Sequence, residues 1–146
     1  MHILLGKAGV NKEERRAAIY TPLPVGSHSF VYFKRYQSGF SEYYQVQGED
    51  QRPILFCENQ RGCIGCNYYV SLTKEMDKNN PAYLGKLRGN AAGSIYQLYD
   101  SGLQPNNDYD RSKFRVNMAY VEYESNFLGM KGPRKFKAIV PKVQEL

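Results

Sequence analysis

Lys86 and Arg88 stand two apart in the run Tyr83-Leu-Gly-Lys-Leu-Arg-Gly-Asn90, and Lys131, Arg134 and Lys135 surround Gly132-Pro133 further on. Alternate side chains of an extended chain share a face, so Lys86 and Arg88 project side by side. The second set brings three cations to a glycine-proline turn, close to backbone amides. Fixed cations beside a tight turn suit a multiply charged anion such as a phosphate group. Arginine forks take phosphate oxygens in pairs, and lysine adds a point charge between them. This is the chemistry of binding rather than of catalysis. The same residues also fit a plainer reading, a solvated strand face and edge lysines that discourage aggregation.

Cys57, Cys63 and Cys66 include a Cys-x-x-Cys, a spacing used for zinc or for a redox pair. With only His2 and His28 beside it and no second Cys-x-x-Cys, no four-ligand set is complete. The thiols therefore read as structural, and no metal or cofactor is expected. No Ser/His/Asp order around a nucleophile elbow, Gly-rich phosphate loop or His-based metal motif is present. Glu122 and Glu124 share one face of an expected strand and read as solvated glutamates. The chain does not read as an enzyme.

The elements that must position the cations are mostly strands. A length of 146 residues fits one domain, and 42% hydrophobic residues suffice for a core. Thirteen Tyr, seven Phe and no Trp favour β-structure with half-wet rings. Residues 10–18 predict one or two helical turns, with Asn11 as cap and Glu14 three residues on, and Pro22 and Pro24 stop them. Eight strands are expected at 30–36, 42–47, 53–57, 66–72, 83–87, 95–99, 114–124 and 136–140, at spacings typical of all-β sandwiches and barrels.

Twenty Lys and Arg against 14 Asp and Glu give +6, and 12 of the 20 fall in residues 74–146, the half with both basic runs. An excess of this kind serves solubility by itself, or an anionic partner, either nucleic acid or lipid headgroups. Basic residues interleaved with tyrosines also suit a stacking platform for single strands. Ile3-Leu4-Leu5 falls far short of the roughly 20 apolar residues that span a bilayer. With no signal-peptide layout and an odd number of cysteines, the chain is expected to be intracellular.

The two basic runs resemble hallmarks of the carboxy-terminal domain of tubby and tubby-like proteins. Those read close to Tyr-Ile-Gly-Lys-Leu-Arg-Ser-Asn and Glu-Thr-Asn-Val-Leu-Gly-Phe-Lys-Gly-Pro-Arg-Lys-Met. The second is matched here by Glu124-Ser-Asn-Phe-Leu-Gly-Met-Lys-Gly-Pro-Arg-Lys-Phe136. Cys66-Asn-Tyr-Tyr-Val-Ser71 and Ile95-Tyr-Gln-Leu-Tyr-Asp-Ser-Gly102 are similar to two further family strands, and the likeness runs over roughly residues 20 to 142. It implies an all-β fold, an antiparallel β-barrel closed around a hydrophobic helix. This chain is expected to hold about the first half of such a barrel over 21–146, after an amino-terminal extension of 1–20, without the later strands or the central carboxy-terminal helix. Such a half is expected to be a truncation of a longer protein or to need a partner.

The resemblance also implies a function: binding the headgroup of phosphatidylinositol 4,5-bisphosphate through Lys86, Arg88 and Arg134, with Asn67 as a polar contact. Lys131 and Lys135 form a supporting rim. The chain would then be a cytoplasmic, peripheral membrane protein of the plasma membrane or cilium, with a nuclear location also open, serving trafficking or signalling. The family's dense basic run before the Asn-Tyr strand is here Glu58-Asn-Gln-Arg-Gly-Cys-Ile-Gly65, so long-range attraction to an anionic membrane should be weaker. Two rivals stay open, a nucleic-acid-binding or transcription-regulating module and a non-binding remnant.

Overall fold

The computed structural model describes residues 11–39, 41–60, 64–105, 110–124 and 135–142. They form one α-helix, α1 (Lys12–Tyr20), and eight strands: β1 (Tyr32–Ser38), β2 (Ser41–Gln47), β3 (Pro53–Asn59), β4 (Asn67–Ser71), β5 (Tyr83–Gly89), β6 (Ile95–Asp100), β7 (Asn117–Tyr123) and β8 (Phe136–Ile139). The strands follow one another in sheet order exactly as in the chain, β1 to β8, and every register described is antiparallel. β1 and β8 begin and finish that order, so among the described residues the strands do not close into a barrel. The β class and the incomplete barrel are as expected.

All eight expected strands form, and their ends move by a few residues. The largest shift is in β7, whose expected start at 114 becomes Asn117. Phe114 is held elsewhere, in a parallel bridge to Leu103. Leu103 N–H donates to the Lys113 carbonyl at 2.8 Å, and Arg115 N–H donates to Leu103 at 2.8 Å. Backbone groups used there cannot also serve the β6–β7 ladder, so the strand begins later.

Contacts divide the chain into two compact units. Unit 1 is Met1–Asn59 with Tyr69–Leu84, and unit 2 is Gln60–Tyr68 with Gly85–Leu146. The core of unit 1 is Leu72, Ala82 and Leu84, against which Ile19, Leu55 and Val70 pack. Helix α1 starts at a complete capping box: Glu14 N–H donates to Asn11 Oδ1 at 2.8 Å, and Asn11 N–H donates to Glu14 Oε2 at 3.2 Å. It is tied down by side chains that donate to strand carbonyls. Arg15 reaches Pro53 and Ile54, Arg16 reaches Pro81 and Tyr83, and the Tyr20 hydroxyl reaches Leu84. Asn11→Ala is expected to lower stability by about 1 kcal/mol, read as a midpoint shift in urea unfolding; an unchanged midpoint would mean the box is not formed in solution.

Candidate functional site

The residues singled out for anion binding that the structure describes all belong to unit 2. Within it, β5 pairs with β6 so that Lys86 faces Tyr99 and Arg88 faces Gln97. Gln97 in turn faces Tyr120 on β7. Directly opposed residues share a face, so Lys86, Arg88, Gln97, Tyr99 and Tyr120 line one side of the ribbon. The Tyr99 hydroxyl donates to Gln97 Oε1 at 2.7 Å and fixes the ring. Arg115 lies over that ring, its guanidinium carbon 4.4 Å from the centroid. An arginine stacked on a tyrosine keeps its outward N–H groups available while the stack holds its plane.

Three cations are thereby gathered around one tyrosine: Lys86 from the opposite strand, Arg88 one row along, and Arg115 stacked on the ring. Lys86 is half-buried and Arg88 exposed. Among the described residues no carboxylate forms an ion pair with Arg88 or Arg115. Sequence reading missed Arg115, because it precedes β7 and no alternation connects it to Lys86. The signal was present in weaker form, as the 95/97/99 alternation that puts Tyr99 and Gln97 on one face.

Asn67 opens β4, half-buried, with Oδ1 shielded from solvent. The preceding residue explains its orientation. Gly89 N–H donates to the Cys66 carbonyl at 2.9 Å, and a Cβ added at Gly89 would lie 2.5 Å from Cys66 Sγ. Cys66 therefore points at Gly89, and alternation turns Asn67 to the side occupied by Arg88. The glycine is what lets the sulfur fit.

The other expected cations separate into two groups. Arg134 and Lys131 lie outside the described residues. Lys135 is exposed just before β8, and its carbonyl accepts from Glu124 N–H at 3.0 Å. β8 is three strands from β5, and Arg88 shares its row with Ile139, so strand spacing and rise set Lys135 roughly 19 Å from Arg88. Its neighbour Lys137 faces Glu122 across the β7–β8 ladder. Glu122, Tyr123, Glu124 and Lys137 line an open cavity of about 320 Å³. Glu122 is thus opposite Lys137 in the ladder and Glu124 is tied to Lys135 through the backbone, so among the described residues this end carries as many carboxylates as lysines.

Cys57 is half-buried on β3 of unit 1, and burial pushes its thiol from 9.0 up to about 11. Burial also raises Cys66, partly offset by a hydrogen bond involving Gly89. Cys63 lies outside the described residues, and among those described no three His, Cys, Asp or Glu side chains are grouped to hold a metal. A thiol raised by two units has about a hundredth of the thiolate at pH 8. Cys57 should accordingly alkylate about a hundredfold more slowly in the folded chain than in urea, as read by mass spectrometry. Equal rates would show that β3 opens readily.

Among the described residues no helix is long and apolar enough to cross a membrane. In sequence, residues 19–146 match the model of the Tub family. The chain is 28% identical over 135 residues to Tubby-related protein 3 of Homo sapiens, which covers 84% of this chain and 30% of that protein. It is 38% identical over 79 residues to Tubby-related protein 2 of Mus musculus, 51% of this chain and 14% of that protein. Tubby protein homolog 1 of Caenorhabditis elegans is 32% identical over 92 residues, 62% of this chain and 22% of that protein. The chain spans less than a third of the length of these curated relatives.

Proposed function

This chain belongs to the Tub family, and we propose that its unit 2 is a phosphoinositide-binding module that docks on phosphatidylinositol 4,5-bisphosphate. The observation that carries this reading is the grouping of Lys86, Arg88 and Arg115 around Tyr99 on one face, with Asn67 turned toward the same side. Two guanidinium forks and one ammonium match the adjacent phosphates of an inositol bisphosphate, while Gln97 and Asn67 supply amides for ring hydroxyls. Arg134 enters the proposal as a further headgroup contact, with Lys131 and Lys135 as an outer rim. The module acts by binding, without catalysis, as a reversible peripheral protein at the cytoplasmic leaflet of the plasma or ciliary membrane. Service in trafficking or signalling follows from such docking.

The test is co-sedimentation with vesicles holding either the bisphosphate or phosphatidylserine at matched charge. Preference for the bisphosphate that persists as salt rises is the expected result, since a shaped site is screened less than diffuse attraction. Arg115→Ala should weaken binding of the soluble inositol trisphosphate headgroup about tenfold by calorimetry, the loss of one charge-assisted contact. Equal binding to both vesicles, or a steep salt dependence with single-stranded nucleic acid bound more tightly, would replace this reading with a general basic surface.

A further inference from the structure

We propose that unit 1 carries a second binding site, for a phosphorylated quaternary ammonium of the phosphocholine type. An open cavity of about 310 Å³ is lined by Tyr43 on β2, Phe56 and Glu58 on β3, and Lys74 and Met76 beyond β4. Its floor lies on strands inside the sheet order and its wall is this chain's own segment, so neither terminal strand takes part. Small-molecule sites run from about 300 to 1,000 Å³, so this volume suits a compact ligand or a headgroup. Register sets the arrangement. Tyr43 faces Glu58 and Gln45 faces Phe56, so Tyr43 and Phe56 are diagonal neighbours about 7–8 Å apart on one face. Tyr36 stacks on Tyr43 from the β1 side, with ring centroids 4.9 Å apart and planes 7° from parallel. That stack fixes the Tyr43 ring, and Glu58 stands on its other side.

The unpaired charges select the ligand. Among the described residues the side chains of Glu58, half-buried, and Lys74, exposed, have no ion-pair or hydrogen-bond partner. The charges next to Lys74 are engaged. Glu75 accepts from Asn80 Nδ2, Asp77 accepts from Asn79 N–H at 2.9 Å, and Lys78 lies over Tyr69, 5.1 Å from the ring centroid. Gln45, 7% exposed on the face of Tyr43 and Phe56, also makes no side-chain hydrogen bond among the described residues. An amide this buried is ordinarily paired, so a polar ligand beside it meets an unused group. A half-buried carboxylate among two rings and the Met76 thioether suits a cation. Methylated nitrogen suits it best, because it carries charge without N–H donors that rings and sulfur would leave unpaired. Lys74 at the rim offers a point charge to a phosphate. Acid and base thus hold opposite ends of one zwitterion, the ammonium against Tyr43, Phe56 and Glu58 and the phosphate against Lys74.

The probe is phosphocholine, titrated into the whole chain and followed by calorimetry and by saturation-transfer NMR. Transfer should be strongest at the N-methyl protons, which lie against the rings. Phosphocholine should bind about tenfold more tightly than phosphoethanolamine or inorganic phosphate. Glu58→Gln should weaken it about tenfold, the loss of one charged contact, and Lys74→Ala should bring it to the affinity of choline. Neither side chain has a partner to lose, so both variants should keep the wild-type urea midpoint. Phosphatidylcholine vesicles distinguish the source. Sedimentation that Glu58→Gln abolishes assigns the site to a lipid headgroup, binding of the soluble probe alone assigns it to a free one, and each upholds the site. Equal binding of phosphoethanolamine and phosphocholine overturns the proposal, as does a Glu58→Gln variant that binds like wild type. Absence of transfer from the folded wild-type chain overturns it without any variant. The site uses no unit 2 residue, so a lost bisphosphate preference would leave these readings untouched.

Discussion

A Lys86→Ala/Arg88→Ala variant is expected to lose its preference for bisphosphate over phosphatidylserine vesicles, with affinity for the bisphosphate falling on the order of a hundredfold. Each charge-assisted hydrogen bond contributes about 1.5–3 kcal/mol, and 1.4 kcal/mol is a factor of ten, so two lost contacts give at least this much. The fold should survive, because Arg88 is exposed and Lys86 half-buried on the polar side of β5. Residual binding to phosphatidylserine should persist through the remaining cations and fade with salt. Arg88→Lys separates charge from geometry. It keeps the positive charge but loses the planar fork, and it should fall between wild type and the double variant. A folded double variant that still prefers the bisphosphate would remove β5 from the site and with it the central claim of the proposal.

Gly85→Val is expected to be the most damaging single change in unit 2, lowering stability by about 3 kcal/mol or more. A Cβ at this position would lie 2.0 Å from the Tyr99 carbonyl oxygen and 3.0 Å from Asp100 Cα. Those are backbone atoms, which cannot rotate aside as the end of a side chain can. Either β5 and β6 part or the ladder slips. For a chain of this size the loss corresponds to a melting midpoint roughly 10 °C lower. Lys86 is the next residue, and its register partner is Tyr99. Binding should therefore fail even in variant molecules that stay folded at low temperature. A melt and a headgroup titration indistinguishable from wild type would show that β5 and β6 do not approach this closely in solution.

Much of the fold was readable because period-two patterning and turn residues are local signals. Alternation and turn punctuation located all eight strands, and the Asn11/Glu14 spacing located the helix start. The start of β7 was not readable. It depends on Leu103 capturing residues 113–115, a pairing between segments that carry no mutual signal in sequence. The site divides the same way. Lys86 and Arg88 were legible as cations two apart on one strand. Arg115 was not, since its place depends on stacking over Tyr99. Lys135 was legible as a cation, but not that Glu124 stands beside it while Glu122 faces Lys137.

The sequence by itself determined the β class, the sharing of a face by Lys86 and Arg88, and the family. Each is written in neighbouring residues or in runs long enough to be specific. The tertiary structure alone decided which cations meet. Strand order and register carry one row of side chains across β5, β6 and β7, so Tyr99 and Arg115 join Lys86 while Lys135 is carried three strands away. Side-chain direction within a strand repeats every two residues and can be read from spacing alone. Proximity between strands depends on which backbone groups find partners, and that is settled only when the whole ladder forms.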